Sequence, residues 1–207
     1  MTLQYLEGEQ IALPAIAVQE AITLPAAKTA IVVVDMQNDF VTAGGSLVVP
    51  DAAATLPAIA DLLERARIAG VHITYTQDTH LPGDKEFAIW PEHCLQHTWG
   101  WQIVDELAPA INETVVQKSR YDGFYGTQLD HYLTRVWGVE HLVVVGTIAS
   151  ICVLHTAASA GLRWFHVVAP IDGTSALNDF DMALTMRQIS WLYTGHVVRT
   201  CAAIQFV

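Results

Sequence analysis

The chain has 207 residues, which is enough for one domain with its own core, given about 150 residues per domain as a starting expectation. Hydrophobic residues make up 52% and charged residues 15%, so the composition is neither that of a disordered chain nor that of a fibre. The formal net charge of −11 argues against nucleic acid as a partner, because phosphate binding needs a basic surface. A polybasic membrane anchor is not expected for the same reason.

The three cysteines, Cys94, Cys152 and Cys201, are an odd number for a chain of this size. A disulfide framework is therefore not expected, and a reducing compartment such as the cytoplasm is the simpler prediction. The first ten residues lack the basic and apolar regions of a signal peptide. The most apolar stretch, residues 142–154, is too short to span a bilayer.

The N-terminal region, residues 1–27, differs in pattern from the rest of the chain. It contains Pro14 and Pro25 and short alternating stretches, and it shows no strong helical period. We expect an extended arm that packs on the domain or on a neighbouring subunit. One domain would then follow over residues 28–207.

From residue 28 onward, apolar runs alternate with helical patterns. The run at residues 29–35 is continuous and rich in β-branched residues, as expected for a strand buried on both faces. The six predicted strands are residues 29–35, 71–77, 113–118, 141–146, 164–169 and 196–200. Helical stripes are predicted at residues 56–66, 129–136 and 182–193, and a glycine follows each stripe as a stop signal. The methionines of the last stripe, Met182 and Met186, are interpreted as core packing rather than as a cofactor site.

Strands that alternate with helices indicate crossover connections and a mainly parallel sheet. We therefore predict a Rossmann-like α/β fold of three layers (α/β/α), with a six-stranded, mainly parallel sheet between helices. In such sheets, ligands bind beyond the carboxyl ends of the strands. The residues that end or follow each strand are thus the first candidates for a functional site.

Three reactive side chains fall at this predicted edge. Asp35 ends the first strand, Lys118 ends the third, and Cys152 follows the end of the fourth by six residues, where a helix should begin. Each also has an ordinary structural interpretation, as a turn cap, an exposed charge and a small core residue respectively. Together they favour a site, because a helix N-terminus and an ammonium lower the pKa of a thiol, and a carboxylate can take its proton. Backbone N–H groups in the turn at residues 146–152 would face a developing oxyanion.

A second group of residues follows the second strand. Asp78 and His80 form an Asp-x-His pair, and His93 lies thirteen residues further along the chain. Two imidazoles and a carboxylate suit a divalent metal such as zinc, iron or manganese, with open positions for water or substrate. By spacing alone, ordinary surface or core histidines are the preferred interpretation. Cys94 is expected to point elsewhere, and no organic cofactor is expected.

Several segments, in order along the chain, resemble the isochorismatase-like cysteine hydrolases, and in particular their nicotinamidase-related branch. The most specific are the Val-Asp-Met-Gln-Asn-Asp-Phe string at residues 34–40 and the glycine-to-cysteine turn at residues 146–152. The other matching segments are residues 44–50, 77–80, 90–94, 118 and 121–127. The stretch between His80 and Trp90 lacks the additional histidine of typical nicotinamidases.

The resemblance implies a catalytic triad and an activity. Asp35 would be the general base, Lys118 the group that orients and stabilises it, and Cys152 the nucleophile. Cys152 would attack a small carboxamide, release ammonia and leave a thioester that water hydrolyses. The backbone N–H groups of Ile148 and Cys152 would hold the oxyanion, and the peptide bond between Thr147 and Ile148 would be cis.

The resemblance also implies a metal site and a substrate pocket. The implied metal ligands are Asp78, His80 and His93. The side chains that would enclose a substrate ring, with ordinary core packing as the alternative, are Phe40, Trp90 and Tyr121. Homo-oligomerisation is expected from the family and from the apolar composition.

Two further interpretations stay open. One is a hydrolase of the same fold that acts on another small substrate, such as isochorismate, a ureido acid or maleamate. The isochorismate branch ranks lower, because it generally uses neither the cysteine nor the metal. The other is a non-catalytic binding protein of the same fold, since fold does not determine function. Three reactive side chains at one sheet edge argue against this last interpretation.

Overall fold

The computed structural model describes residues 12–207, and its regular elements follow the predicted alternation of strands and helices. The strands are β1 (Val18–Gln19), β2 (Ile22–Leu24), β3 (Thr29–Val34), β4 (His72–Asp78), β5 (Thr114–Lys118), β6 (His141–Gly146), β7 (His166–Pro170), β8 (His196–Val198) and β9 (Ile204–Phe206). The α-helices are α1 (Asn38–Val41), α2 (Leu56–Ala69), α3 (Leu129–His131), α4 (Leu154–Leu162) and α5 (Asp179–Arg187). The π-helical turns are Tyr132–Val136, Ala149–Val153 and Gln188–Leu192. The 3₁₀ helices are Ala26–Lys28, Ala53–Thr55, Lys85–Ala88, Asp105–Leu107 and Cys201–Ala203.

Seven strands form one sheet in the order β1-β8-β7-β6-β3-β4-β5, and every pair in it is parallel. After β1, which lies at one edge, the chain places β3 near the centre of the sheet and adds β4 and β5 on one side. It then returns to add β6, β7 and β8 on the other side. The strand order therefore reverses between β3 and β6, where a ligand crevice is expected at the carboxyl ends of the strands.

The predicted count of six strands is wrong by one, because the N-terminal arm supplies a seventh. Val18 and Gln19 pair with β8 at the edge of the sheet, and β2 pairs with β9 in a separate two-stranded sheet. Such short stretches carry little strand signal of their own, so pairing with an existing strand decides their conformation. This part of the arm packs on its own domain, whereas residues 1–11 of the predicted arm lie outside the described residues.

The sheet is covered on both faces, which produces the three predicted layers. Ile31 and Val33 of β3 belong to one apolar cluster that includes α2 residues, whereas Val32 and Val34 belong to another that includes α4 residues. None of these four side chains has any exposed surface. Much of the apolar excess in the composition therefore lies in central strands that are buried on both faces.

The helix ends follow the predicted signals. α2 ends at Ala69, and Gly70 takes the left-handed conformation with φ 75° that favours glycine. Thr127 Oγ1 accepts the N–H of Leu129 over 3.2 Å at the start of α3. The methionine stripe packs in the core, where Met186 is buried. Within residues 12–207, every helix is too short or too polar to cross a bilayer. The predicted homo-oligomer stays a prediction.

Candidate active site

The carboxyl ends of four neighbouring strands bring the predicted site residues together. Asp35 directly follows β3, and Gly146 ends β6. Asp78 and Lys118 end β4 and β5 and face each other in the parallel register. The site therefore lies where the strand order reverses, as expected for a sheet of this type.

Lys118 lies at the centre of a buried charged cluster. Its Nζ is 2.8 Å from Asp35 Oδ2 and 3.2 Å from Asp78 Oδ1. The same nitrogen is 3.6 Å from Cys152 Sγ. The side chains of Lys118 and Asp35 have no exposed surface. The structure thus places the three residues of the implied triad in one cluster, in contact with a predicted metal ligand.

The carboxylate of Asp35 is oriented by two neighbours. Thr76 Oγ1 donates a hydrogen bond to Oδ1 over 2.7 Å. Oδ2 forms the ion pair with Lys118 but accepts no well-angled hydrogen bond within residues 12–207. Burial raises the pKa of Asp35, and the charge of Lys118 and the hydrogen bond from Thr76 oppose part of that rise. A carboxylate with a raised pKa that Thr76 and Lys118 hold in place suits the role of proton acceptor.

The thiol of Cys152 is protonated at rest. Burial raises its pKa well above the ordinary value for a thiol, the charge of Lys118 opposes this rise, and the charge of Asp35 adds to it. The expected lowering by an ammonium is therefore present but is outweighed by burial. Burial would also lower the pKa of Lys118, but Asp35 and Asp78 raise it overall, so the ammonium stays charged. The thiolate must form by proton transfer to a nearby base.

The turn that carries the nucleophile begins with a glycine for a steric reason. Gly146 has φ 115°, and a Cβ atom there would lie 2.1 Å from the carbonyl oxygen of Val34 on the neighbouring strand. The peptide bond between Thr147 and Ile148 is cis, as the resemblance implies. The π-helical turn before α4 then presents Cys152 to the pocket that Ile148 also lines. The oxyanion role of these two residues stays a prediction.

Asp78, His80 and His93 form a buried group whose donor atoms all lie within 4.8 Å of one another. The Nε2 atoms of the two histidines are 3.1 and 3.3 Å from Asp78 Oδ2. The other ring nitrogens are also held, since His80 Nδ1 is 3.1 Å from Asp84 Oδ2 and His93 Nδ1 is 2.7 Å from Pro91 O. Metal-binding histidines commonly have their second nitrogen held by a carboxylate or a carbonyl in this way. The donor set therefore fits a divalent metal.

The charges within this group also favour a cation. Burial would raise the pKa of Asp78, but Lys118 and the two histidines hold it well below its usual range. Burial would lower the pKa of His80, but its hydrogen bond and charge interaction with Asp78 raise it to about 9. The pKa of His93 is raised for the same reason. A metal bound here would replace the ring protons as the positive partner of the carboxylate.

A narrow pocket, with a cavity volume of about 20 Å³, lies beside Cys152. Its walls include the three predicted ring-binding residues, Phe40, Trp90 and Tyr121. Trp90 Nε1 donates a hydrogen bond to Tyr121 Oη over 3.2 Å, which links two of these walls. The ring of Phe40 lies 5.5 Å from that of His93, measured between centroids. The pocket therefore has the thiol and the candidate metal group on its surface together with aromatic walls.

The structure adds Glu86, which the sequence did not single out. Glu86 lies on the 3₁₀ helix Lys85–Ala88, is buried and lines the same pocket. Burial raises the pKa of its carboxyl group, and the charge of Asp78 adds to that rise. No motif marks this residue. The only signal available was its place between His80 and Trp90, in the stretch that lacks the additional histidine.

The other two cysteines differ from Cys152 in position. All three cysteines are free and buried. Cys94 and Cys201 do not line the pocket, and burial raises the pKa of each thiol. Cys94 also lies outside the metal group, as expected from its place next to His93. Only Cys152 therefore combines a thiol with access to the pocket.

The fold and this site define an α/β domain of the cysteine-hydrolase type, and the isochorismatase domain family matches residues 29–202. The chain belongs to the isochorismatase family. It is 33% identical over 176 residues to the ureidoacrylate amidohydrolase RutB of Rhizobium rhizogenes, with 72% of this chain and 71% of that protein covered. It is 38% identical over 143 residues to the streptothricin hydrolase of Streptomyces noursei, with 69% of this chain and 52% of that protein covered.

Solved structures of related hydrolases show the same fold. The N-carbamoylsarcosine amidase of Thermoplasma acidophilum superposes with a TM-score of 0.76 at 35% identity, covering 83% of this chain and 96% of that one. The nicotinamidase of Bacillus subtilis has a TM-score of 0.78 at 25% identity, covering 83% of this chain and 100% of that one. The pyrazinamidase of Pyrococcus horikoshii in complex with zinc has a TM-score of 0.74 at 26% identity, covering 87% and 98%. The predicted fold class and the predicted relation to nicotinamidase-related hydrolases are confirmed.

Proposed function

We propose that the chain is a cysteine-dependent amidohydrolase that cleaves a small carboxamide to a carboxylate and ammonia. The observation that carries the proposal is the placement of Cys152, Lys118 and Asp35 in one buried cluster beside an apolar pocket. The names of the related ureidoacrylate amidohydrolase and N-carbamoylsarcosine amidase support an amide as the bond that is cleaved.

In the first half of the reaction, Cys152 Sγ attacks the carboxamide carbon and Asp35 takes the thiol proton as the C–S bond forms. Because the pKa of the thiol is raised, a base is needed near the sulfur. Lys118 Nζ contacts both groups, at 2.8 Å from Asp35 Oδ2 and 3.6 Å from Cys152 Sγ, which supports Asp35 as that base. Asp35 then passes the proton to the amide nitrogen, the C–N bond breaks and ammonia leaves. The acyl group remains on Cys152 as a thioester.

In the second half, water attacks the thioester carbon and Asp35 accepts one of the water protons. The C–S bond breaks, the carboxylate product leaves, and the proton returns to the sulfur of Cys152. Lys118 stays charged through both halves, because its pKa is well above the usual range. Its ammonium therefore holds Asp35 in place and supports its charged form at each step.

Negative charge develops on the substrate carbonyl oxygen in both halves of the reaction. We assign the backbone N–H groups of Ile148 and Cys152 as its hydrogen-bond donors, on the basis of their place in the nucleophile turn beside the pocket. Such fixed donors are often the largest single catalytic contribution, and loss of one lowers kcat by about 10²–10³-fold.

The pocket favours a small planar substrate. Phe40, Trp90 and Tyr121 present aromatic surfaces, and Leu47 and Ile151 add apolar ones. The narrow cavity between these walls, about 20 Å³, favours a thin planar group over a folded peptide segment. An apolar pocket with few polar groups binds a planar group by burial and leaves the polar groups to orient the amide.

The metal group would act beside this chemistry. Asp78, His80 and His93 are the residues that would hold a divalent metal, and the related pyrazinamidase structure is a complex with zinc. When bound, such a metal acts as a Lewis acid that polarises or orients a polar atom of the substrate.

A ureido acid is the second candidate substrate, and Glu86 favours it. The buried carboxyl group of Glu86 lines the pocket and offers an acceptor for the additional N–H that a ureido group carries. The relation to a ureidoacrylate amidohydrolase points in the same direction. A ring carboxamide lacks this additional N–H group.

The test is a screen for ammonia release from nicotinamide, pyrazinamide, maleamate and ureido acids, with Cys152→Ala as the control. We expect the wild type to hydrolyse at least one compound and the variant to hydrolyse none. Preference for a ureido acid over the ring amides would select the second candidate. Full activity of Cys152→Ala would contradict the mechanism. No ammonia from any compound, together with a Cys152 that iodoacetamide alkylates no faster than Cys94, would favour a non-catalytic binding protein.

A further inference from the structure

Gln37 lies beside the candidate metal centre without supplying a metal donor. Its side-chain amide is fully buried and pairs with the main chain of Asp78 on both sides. Asp78 N donates to Gln37 Oε1 over 2.7 Å, and Gln37 Nε2 donates to Asp78 O over 2.8 Å. The same Nε2 donates to Trp101 O over 2.8 Å. Because both peptide units that flank Asp78 are held, the direction in which its carboxylate leaves the main chain is set.

Asp39 holds the segment that carries His93 in a comparable way. Its Oδ2 accepts the N–H of Cys94 over 2.7 Å, and its Oδ1 accepts the N–H of Ser46 over 3.0 Å. Cys94 directly follows His93 and has φ 46°, a conformation that a residue with a side chain keeps only where its surroundings impose it. Gly100 makes room for the carboxylate, since a Cβ atom there would lie 2.2 Å from it.

We propose that Gln37 and Asp39 are positioning residues for the candidate metal centre. Gln37 sets the place of Asp78, and Asp39 sets the place of His93 through the peptide that follows it. The proposal rests on the metal site of the proposed function, and both residues act through the main chain instead of touching metal or substrate. Removal of groups that orient metal ligands typically lowers metal affinity by about 10–100-fold.

Two residues make similar hydrogen bonds that do not hold the main chain of a metal ligand, and they serve as matched controls. Gln77 is a buried amide on β4 that donates to the same Trp101 O over 2.9 Å, but this bond holds no metal ligand. Asp172 accepts the N–H of Cys201 over 2.7 Å, a bond that matches in kind and length the one made by Asp39. Loss of either control bond removes comparable stabilisation without releasing the metal group.

The test is a titration of the metal-free, full-length protein with cobalt(II), followed by the d–d absorption of the bound ion and by competition with a chromogenic chelator. Gln37→Met and Asp39→Asn should each lower cobalt affinity by about 10–100-fold and change the absorption spectrum. Gln77→Met and Asp172→Asn should keep the affinity and the spectrum of the wild type. If Gln37→Met does not fold, Gln37→Glu replaces it, because Glu keeps one acceptor and cannot donate to Asp78 O.

Three results would overturn the proposal, and they are distinguishable. Cobalt binding by the wild type, with unchanged affinity in the Gln37 and Asp39 variants, would refute the positioning role alone. An equal loss of affinity in the Gln77 and Asp172 controls would show general damage to the fold. A wild-type protein that binds no cobalt would refute the metal site of the proposed function, and the positioning role with it. The first two results would leave the proposal of amide hydrolysis by Cys152 standing.

Discussion

The hydrogen bond between Thr76 and Asp35 is one of the interactions that lower the pH at which the proposed base becomes charged. Thr76 Oγ1 donates to Asp35 Oδ1 over 2.7 Å, and neither side chain has any exposed surface. Thr76→Val keeps the shape of the side chain and removes the hydrogen-bond donor. The charged form of Asp35 therefore loses more stabilisation than the protonated form. We expect the pKa of Asp35, which burial already raises, to rise further.

The size of this rise follows from the energy of the bond. A hydrogen bond to a charged group contributes about 1.5–3 kcal/mol, and one pKa unit corresponds to about 1.4 kcal/mol. We expect a rise of about one unit, at the low end of this range, because Lys118 still stabilises the carboxylate at 2.8 Å. Asp35 must be deprotonated to accept the thiol proton. The acid limb of kcat/KM should therefore move to higher pH by the same amount.

The assay is kcat/KM for ammonia release as a function of pH, with Thr74→Val as the control. Thr74 lies two residues earlier on β4, is equally buried, and donates to the uncharged Thr114 O over 3.1 Å. Its replacement removes a neutral hydrogen bond and should leave the acid limb in place. An unmoved limb in Thr76→Val, or the same movement in both variants, would refute Asp35 as the group that titrates.

Three further predictions concern stability and metal content. Gly146→Ala should lower the free energy of unfolding by at least about 2 kcal/mol in a urea titration, since its Cβ atom would lie 2.1 Å from a carbonyl oxygen of β3. Gly138 also has a positive φ, of 61°, but no such contact, and Gly138→Ala should lower the free energy of unfolding by only about 1 kcal/mol. Lys118→Met should lower the free energy of unfolding by about 3–5 kcal/mol near neutral pH, because it leaves buried carboxylates unpaired. The lowered pKa of Asp78 contributes stability only above its unfolded-state value, so this loss should shrink as the pH falls through the carboxylate range. A loss of unfolding free energy that does not change with pH would contradict the pairing of Lys118 with these carboxylates. His93→Ala should remove most of the metal that elemental analysis finds in the wild type, and equal metal in both would exclude His93 as a ligand.

Most of the fold could be predicted because buried parallel strands leave a strong local pattern. The run at residues 29–35 is apolar at every position from Ala30 to Val34, as expected for a strand covered on both faces. The strand Val18–Gln19 could not be predicted, because two residues carry no period and their partner lies in β8, far along the chain. Its conformation depends on a free sheet edge that exists only after the domain has folded.

The sequence predicted which residues form the site, but it did not predict their burial or their pKa values. Asp35, Lys118 and Cys152 were identified from their places at strand ends, and the structure brings them into one cluster. The lowering of the Cys152 pKa by a nearby ammonium could be predicted from the sequence pattern, whereas the complete burial that outweighs it could not. Glu86 was missed for a related reason: a short 3₁₀ helix turns it into the pocket, and no motif marks it.

The sequence by itself determined the alternation of strands and helices, the parallel sheet and the edge at which chemistry would lie, because side-chain periodicity and strand direction are local properties. Only the tertiary structure decided which groups touch. It set one ammonium between Asp35 and Asp78, oriented the histidine rings toward a shared carboxylate, and buried the thiol of Cys152 so that it needs a base. Solvation and charge pairing depend on every neighbour in space, and those neighbours come from strands that lie far apart along the chain.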